Sequence, residues 1–264
     1  MRRLHLVELE DLPWVPPVVR DGATDVLDFM FRRIGFYKGV LPPAVAFLKA
    51  TGERRVLDLC SGGGGGALTM RQALRDAGHA CEMELSDLYP NDAARARVAA
   101  LHDPLTRYLD RPVDAMTGGD EGAGVRTMSS ALHHFRPDTI RTLLAGIIAR
   151  RAPVTFLDVA ASPMLRRLPL PLAAPALVLN MLLVFVVGLV LVPFVRPFRL
   201  SRLVLTYLLP AIPLVLAWDG AVSAVRAYST AELLEIARSS PGGDSYVWDA
   251  GTSGAALYLT GRPR

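Results

Sequence analysis

Between residues 50 and 160 the chain alternates short apolar runs with longer amphipathic segments. Short runs of apolar and β-branched residues predict buried strands, and apolar positions at helical spacing predict helices. In chain order the predicted elements are a strand at Val56–Leu59, a helix at Ala67–Ala77, strands at Ala80–Leu85 and Gly124–Ser130, a helix at Asp138–Arg151 and a strand at Pro153–Val159. This order predicts an α/β fold with a doubly wound, mostly parallel sheet.

The two ends of the chain add further elements to this pattern. Residues 1–23 predict an irregular arm, followed by a helix at Asp25–Arg33 with Thr24 as its N-cap and a second helix at Leu41–Ala50. Aromatic residues at positions 14, 29, 31, 36 and 37 suit core packing or a lid over a ligand. Towards the C-terminus, Ser229 and Glu232 predict the start of a helix that runs to Ser239. Tyr246–Asp249 and Ala255–Thr260 then predict a closing hairpin.

One segment departs from the globular pattern. Leu168–Val195 is 28 residues long and contains no charge. Its central part, Ala173–Val192, would be about 30 Å long as a helix, which matches the hydrocarbon thickness of a bilayer. A second apolar run, Leu203–Trp218, is interrupted by two prolines. Since the globular domain is expected to resume at Asp219, the chain must return to the side it left. The pattern therefore predicts either a two-pass hairpin or a shallow hairpin in one leaflet, and a dimer interface or buried cap is the alternative.

Charge is distributed unevenly along the 264 residues. The net charge is +4, and the stretch between Asp158 and Asp219 holds five arginines (166, 167, 196, 199 and 202) with no Asp or Glu. Removing these five from the 29 basic residues leaves 24, which nearly balance the 25 acidic residues. A basic charge confined to an apolar segment favours anionic lipid head groups and argues against nucleic acid. Arginines at both ends of the long run favour the shallow hairpin.

Only two cysteines are present, Cys60 and Cys81, and neither has a metal-type spacing. This usage fits a reduced compartment without a disulfide framework. The first ten residues lack the apolar run of a signal peptide, so the expected location is the cytoplasmic face of a membrane, of the bacterial inner-membrane type.

The candidate chemistry begins at the first strand. Asp58 lies in that strand, and five glycines, Gly62 to Gly66, separate it from the next helix. A strand, a glycine turn and a helix in this order bring backbone N–H groups and a helix N-terminus close to a nucleotide-type ligand. Gly62-x-Gly64-x-x-Ala67 also satisfies the dinucleotide fingerprint, but in that case Asp58 would face two negative phosphates. A ligand with a positive group suits Asp58 better.

The string Asp58-Leu-Cys-Ser-Gly62-Gly-Gly64 resembles the first motif of class I S-adenosylmethionine-dependent methyltransferases. Cys60 stands where that family usually has its first glycine. The resemblance covers roughly residues 50–160 and 219–262. It implies a seven-stranded sheet with an antiparallel last strand, and S-adenosylmethionine as cofactor. Asp58, Cys60, Gly62 and Gly64 would then contact the methionine part.

Further candidates follow the second, third and fourth strands. Asp87 can accept hydrogen bonds from both ribose hydroxyls, or alternatively cap a turn, and Leu88 or Tyr89 can cover adenosine. Asp114, with Ala115 beside it, matches the family's adenine-binding acid. The Leu-His-His-Phe string at 132–135 resembles the start of the helix after the fourth strand in many methyltransferases. His133 and His134 are candidate general bases or, alternatively, structural histidines at the floor of the pocket.

Together these features predict a membrane-associated methyltransferase for a hydrophobic acceptor. Asp219, Ser223 and Arg226 recur at helical spacing and are candidates for binding the acceptor, although an Asp219–Arg226 ion pair is an equal alternative. The predicted domains are an N-terminal arm (1–50), a Rossmann-like domain (51–160 and 219–264) and an apolar insertion (161–218). A membrane-attached NAD(P)-dependent oxidoreductase and a non-catalytic anchored domain remain the alternatives.

Overall fold

The computed structural model describes residues 3–117, 122–162, 165 and 168–264. By contacts the chain divides into two compact units. We call Gly35–Ala160 with Tyr228–Arg264 the sheet unit, and Met1–Ile34 with Ala161–Ala227 the helical unit. The sequence boundaries grouped residues 1–50 as one arm, whereas the contacts place the first helix with the insertion. The functional division into three domains stays a prediction.

The sheet unit is built on one seven-stranded sheet. Its strands are β1 (Arg55–Leu59), β2 (Glu82–Leu85), β3 (Thr106–Tyr108), β4 (Val125–Ser129), β5 (Val154–Val159), β6 (Tyr246–Ser253) and β7 (Ala256–Pro263). Their order is β3-β2-β1-β4-β5-β7-β6. All pairs up to β5 are parallel, and β7 is antiparallel to both β5 and β6. This confirms the predicted fold class.

Helices cover both faces of this sheet. They are α2 (Leu41–Thr51), α3 (Gly65–Asp76), α4 (Asp92–Ala99), α5 (Pro137–Ala149) and, after the insertion, a helix at Thr230–Ser239. One core joins the apolar faces of α5 and the 230–239 helix to the sheet, and a second joins α2 and α3 to the opposite face. Burial on two faces explains why the consecutive residues Val56 and Leu57 of β1 are both apolar, since a strand in such a sheet has no solvent-facing side.

Local sequence signals placed most of these elements. The Ser229 hydroxyl accepts a hydrogen bond from the Glu232 amide and the Glu232 carboxylate accepts one from the Ser229 amide, so the predicted capping box is confirmed. Helix α3 begins at Gly65, two residues before the predicted start. Strand β3 was not predicted, because three residues are too few to show an alternating pattern. The Leu-His-His-Phe string forms a 3₁₀ turn at Leu132–His134, and α5 begins only at Pro137.

The helical unit contains α1 (Pro17–Ile34), α6 (Leu170–Leu191), α7 (Leu200–Leu203) and α8 (Ala211–Arg226), and we number the 230–239 helix α9. The prediction that Thr24 caps a helix was wrong. Thr24 lies inside α1, where its hydroxyl donates to the Arg20 carbonyl 3.0 Å away, because packing against α8 extends the helix back to Pro17. A short 3₁₀ turn, Val192–Phe194, follows α6, and a π-helical turn, Val204–Leu208, follows α7.

One stretch among the described residues, Pro171–Phe194, is long and apolar enough to cross a membrane, and only 11% of its most apolar window is buried. The second apolar run is bent, because the segments Leu200–Leu208 and Ala211–Arg226 meet at 75°. Asp219, where the globular domain was expected to resume, lies within α8 of the helical unit.

Candidate functional site

The centre of the site is the carboxylate of Asp58 in β1. This residue is 1% exposed, and each of its oxygens accepts a hydroxyl hydrogen bond. Ser61 Oγ donates to Oδ2 at 2.6 Å, and Thr127 Oγ1, from the neighbouring strand β4, donates to Oδ1 at 2.6 Å. The carboxylate therefore links β1, β4 and the loop that follows β1. Strand order reverses between β1 and β4, and open α/β sheets bind ligands at the carboxyl ends of such strands.

The loop after β1 turns sharply under backbone constraint. Cys60 has a φ of +53°, Gly62 of +48° and Gly64 of +80°. Left-handed backbone is costly for a residue with a Cβ, so the backbone of Cys60 is strained. Class I methyltransferases, which the motif resembles, usually have glycine at this position. The Ser61 amide donates to the Ser86 carbonyl at 2.9 Å, which fixes the loop against the end of β2.

Gly66 matters more for the packing of α3 on β4 than for the close approach of a ligand. A Cβ at this position would lie 2.2 Å from the Cβ of Ser129. The first turn of α3 therefore approaches β4 more closely than any other residue would permit. Such close helix–strand contact is a known role of the last glycine in nucleotide-binding turns.

Asp87 follows β2 and faces the same loop. Its Oδ2 accepts the Gly62 amide at 2.8 Å, and its Oδ1 accepts the Tyr89 amide at 2.8 Å. Carboxylate oxygens accept hydrogen bonds from several donors at once, so Asp87 can both order this turn and bind a ligand hydroxyl. Leu88 and Tyr89, the predicted cover for adenosine, are 46% and 59% exposed.

The predicted adenine-binding residues lie next to this turn. The Val113 amide donates to the Asp87 carbonyl at 2.8 Å and so attaches the loop after β3 to the end of β2. Asp114 is exposed and Ala115 is buried in the core. Asp114 Oδ1 accepts the Met116 amide at 2.9 Å, which orders the loop.

These carboxylates produce a negative potential at the carboxyl edge of β1. Burial raises the pKa of Asp58 to about 6; the hydroxyls of Ser61 and Thr127 oppose the shift and the charge of Asp87 adds to it. Burial, with the charges of Asp87, Asp58 and Asp114, also raises the pKa of the Cys60 thiol well above its usual range. Cys60 is therefore a neutral thiol here. The site as built favours a cation over a phosphate.

The two candidate bases differ in their surroundings. His133 is 3% exposed; Asp158 accepts both its amide, at 2.7 Å, and its Nδ1, at 2.6 Å. His134 is half-buried, with its ring centroid 4.5 Å from that of His133. Asp158 stands at the end of β5, so the His133–Asp158 pair lies along the same edge of the sheet as Asp58.

Two tyrosines reach this edge that the sequence had not marked as site residues. The Tyr37 hydroxyl hydrogen-bonds to Ser130 Oγ at the end of β4, and Tyr108 OH donates to the Gly62 carbonyl at 3.0 Å. Burial, with the charges of Asp158 and Asp58, raises the pKa of Tyr37 far above its usual value. The aromatic run around position 37 was the available signal, but it did not distinguish Tyr37 from core residues.

The predicted acceptor-binding residues belong to the helical unit, in α8. Asp219 accepts the amides of Leu9 and Glu10 at 2.6 and 3.1 Å, and Ser223 donates to Glu8 at 3.2 Å. Arg226 pairs with Glu8 at 3.2 Å and with Asp11 at 3.0 Å. These contacts hold residues 8–11 on α8. A role in binding an acceptor stays a prediction.

Comparison with known proteins gives structural likeness only. No protein-family model matches the chain, and neither does any curated protein. Among solved structures, an O-methyltransferase family protein from Burkholderia thailandensis superposes with a TM-score of 0.54 at 13% identity, covering 91% of this chain and 59% of its own. The S-adenosylmethionine-dependent methyltransferase SibL gives 0.51 at 17% identity, covering 89% of this chain and 58% of its own.

The O-methyltransferase NcsB1 from neocarzinostatin biosynthesis gives a TM-score of 0.52 at 13% identity, covering 94% of this chain and 59% of its own. The chain thus spans less than two thirds of the length of each of these structures. At such identities the likeness establishes the fold, and strand order and direction agree with it. The chain has the fold of the class I S-adenosylmethionine-dependent methyltransferases.

Proposed function

We propose that the protein is an S-adenosylmethionine-dependent methyltransferase that acts on a hydrophobic acceptor at the cytoplasmic face of a bacterial-type inner membrane. One observation carries the cofactor assignment. Asp58 is buried beside the glycine loop, and its raised pKa shows that its negative charge is poorly compensated. A bound ammonium or sulfonium would stabilise that charge, whereas a pyrophosphate would oppose it.

The residues present fit such a cofactor. Asp58, Cys60, Gly62 and Gly64 would hold the methionine part, and the Asp87 carboxylate, which follows β2 beside the glycine loop, would accept hydrogen bonds from the ribose hydroxyls. Exposed Leu88 would cover the adenine, and Asp114 with Ala115 would contact its edge. When bound, S-adenosylmethionine supplies an electrophilic methyl group. NcsB1, which shares the fold, was solved in complex with S-adenosylmethionine.

His133 is the base that we propose for an acceptor hydroxyl. Its Nδ1 lies 2.6 Å from the Asp158 carboxylate, which fixes the orientation of the ring. The acceptor's proton would move to Nε2 while its oxygen takes the methyl group from the sulfonium sulfur, which leaves S-adenosylhomocysteine as the second product. Asp158 fixes the tautomer and stabilises the protonated ring, and His134 packs beside it.

Membrane association and an apolar acceptor are proposed on the composition and exposure of the helical unit. Its apolar segment is largely unburied, and Arg196 is exposed next to it. Arg166 and Arg167, also predicted to meet head groups, lie outside the described residues. Arg202 does not meet head groups, because it is 3% exposed and paired with Asp25.

The test of the cofactor is calorimetric titration with S-adenosylhomocysteine and, separately, with NADH. We expect micromolar binding of the first and none of the second. Asp58→Asn and Asp87→Asn should each weaken binding at least tenfold, whereas Asp92→Asn, on an exposed carboxylate of α4, should leave it unchanged. NADH binding in place of S-adenosylhomocysteine would refute the proposal.

The test of the reaction is transfer of labelled methyl to apolar phenols, isoprenoids and lipids supplied in vesicles. His133→Gln should lower kcat without changing affinity for S-adenosylhomocysteine. Equal turnover by His133→Gln would remove this residue from the mechanism. Binding of the cofactor without turnover of any acceptor would favour a non-catalytic domain.

A further inference from the structure

We infer that the helical unit inserts into a single leaflet of an anionic membrane and does not cross it. The inference rests on the membrane attachment proposed above and deepens it, because the sequence left a two-pass and a one-leaflet hairpin open. Three features of the helical unit carry it: an apolar stripe along α6, an apolar tip after α6, and a buried ion pair that ties this tip to α1.

The stripe consists of exposed apolar side chains at helical spacing along the whole of α6. Leu172, Leu179, Leu182, Leu183, Val186 and Val190 are each between 51% and 67% exposed. The opposite side of α6 packs on α8, where Gly188 lies against Pro213 and Leu216 and Gly220 faces Val184. One side of α6 therefore belongs to the unit, and its free side presents hydrocarbon over a length of about 27 Å.

The tip is the segment 194–209, which continues the apolar surface. Phe194, Phe198, Leu200, Leu208 and Leu209 are each between 59% and 75% exposed. Tyr207, also exposed, donates its hydroxyl to the Leu189 carbonyl at 2.6 Å, and thus needs no water partner. A polar group satisfied within the protein costs little to move into lipid.

The tip cannot lie on the far side of a bilayer. Arg202 is 3% exposed, pairs with Asp25 of α1 at 2.5 Å and donates to the carbonyls of Val195 and Pro197. The end of α6 is thus joined to the middle of α1. From Asp25 the chain reaches Gly35, the first residue of the sheet unit, in ten residues.

Ten helical residues advance about 15 Å, half of what recrossing a hydrocarbon core requires. Moreover, α1 carries six charged residues (Arg20, Asp21, Asp25, Asp28, Arg32 and Arg33), too many for a spanning helix. Both ends of α6 must therefore be on the side of the membrane that holds the sheet unit. Lipid covers the stripe and the tip from that side.

The charged residues of the tip favour insertion into a leaflet that contains anionic lipids. Arg196 is exposed at the tip and Arg199 is half-buried beside it, and no acidic residue lies between Asp158 and Asp219. A tip with apolar and cationic groups and no carboxylate matches an interface where phosphates lie above acyl chains. A partner protein would more commonly require polar groups at the rim of the contact.

The binding test is flotation of the purified protein with vesicles of phosphatidylcholine alone or with about one third phosphatidylglycerol, an anionic lipid that attracts basic residues. We expect binding to both, at least fivefold tighter with the anionic lipid. Leu183→Glu with Val186→Glu should weaken binding at least tenfold, whereas Val247→Glu, at an equally exposed apolar residue of β6, should not. Unchanged binding by the stripe variant, or dimerisation through the stripe without vesicle binding, would overturn the inference.

The topology test uses an impermeant maleimide on sealed membrane vesicles of known orientation, in a Cys60→Ala, Cys81→Ala background. Arg196→Cys reports the tip and Ser245→Cys, an exposed position, reports the sheet unit. Labelling of both from the same face is expected, and labelling from opposite faces would overturn the inference. The affinity of the native protein for S-adenosylhomocysteine is measured separately. Failure of the cofactor proposal can therefore be distinguished from failure of the membrane proposal.

Discussion

Asp58→Asn tests the electrostatics of the site, because the structure predicts that the native carboxylate destabilises the fold. The side chain is buried at 1% exposure and its pKa is raised from 3.8 to about 6, mainly by burial. Asparagine has the same shape and no charge. Its amide can accept from one of the hydroxyls of Ser61 and Thr127 and donate to the other, since a hydroxyl can rotate to suit.

The sign and the size of the change in the free energy of unfolding follow from proton linkage. A carboxyl whose folded pKa exceeds its unfolded value binds more protons in the folded chain, so stability falls as pH rises from 3.8 to about 6. Above pH 6 the ionised Asp58 carboxylate destabilises the folded protein by the full amount. One pKa unit corresponds to about 1.4 kcal/mol, which puts the upper limit near ~3 kcal/mol. We expect Asp58→Asn to be about 2 kcal/mol more stable than the native protein at pH 8.

The assay is urea unfolding of both proteins across the range from pH 8 to pH 4, with the free energy of unfolding compared at each pH. The gain of the variant should shrink as pH falls, because the native carboxyl becomes neutral. The variant should lose cofactor binding over the same pH range. A variant that is more stable but does not bind the cofactor separates loss of function from loss of fold.

The matched control is Asp103→Asn, which should respond in the opposite direction. Arg71 and Thr106 hold the pKa of Asp103 down, to about 2. Its contribution is present above pH 3.8 and is lost only as pH falls towards 2, so its removal should destabilise the protein at pH 8. If Asp58→Asn is also destabilised at pH 8, the charge of Asp58 is already compensated and the argument for a cationic ligand fails.

Three further predictions concern the site and the helical unit. Affinity for S-adenosylhomocysteine, measured by calorimetry, should fall below about pH 6 as Asp58 becomes protonated. Gly66→Ala should lower the free energy of unfolding by about 1–3 kcal/mol, because its Cβ meets Ser129, and Ser129→Gly should restore part of the loss. Arg202→Met should lower the free energy of unfolding, measured in urea, by about 3–5 kcal/mol, because it removes the buried cation that pairs with Asp25. Adding Asp25→Leu should recover most of that loss; no recovery would show that the pair does not account for the effect.

Local signals were sufficient for much of the sheet unit. The apolar run of β1, the glycines after it and the amphipathic face of α3 each lie within one window of sequence, and they predicted a strand, a turn and a helix in the right order. The capping box of α9 likewise lies within four residues, Ser229 to Glu232. Patterns of this kind reflect burial against a neighbouring layer, so they predict an element even when the elements that form that layer are unknown.

Local signals failed where the determining contact is distant in sequence. Thr24 looked like a cap because it precedes an apolar segment, yet α1 begins at Pro17 through packing on α8. Arg202 looked like a surface cation among apolar residues, and its partner Asp25 is 177 residues away. A short strand such as β3 carries too few residues for any pattern.

The sequence by itself determined the class of fold, the glycine loop beside an acid, and the presence of an apolar, acid-free insertion. Tertiary structure alone decided that Asp58 accepts hydrogen bonds from two hydroxyls, one of them that of Thr127 on another strand, and that Tyr37 reaches Ser130. It also decided that the apolar tip is tied to α1. Periodicity reports how each residue is buried, but which groups meet depends on how separate segments pack, and no local pattern encodes that.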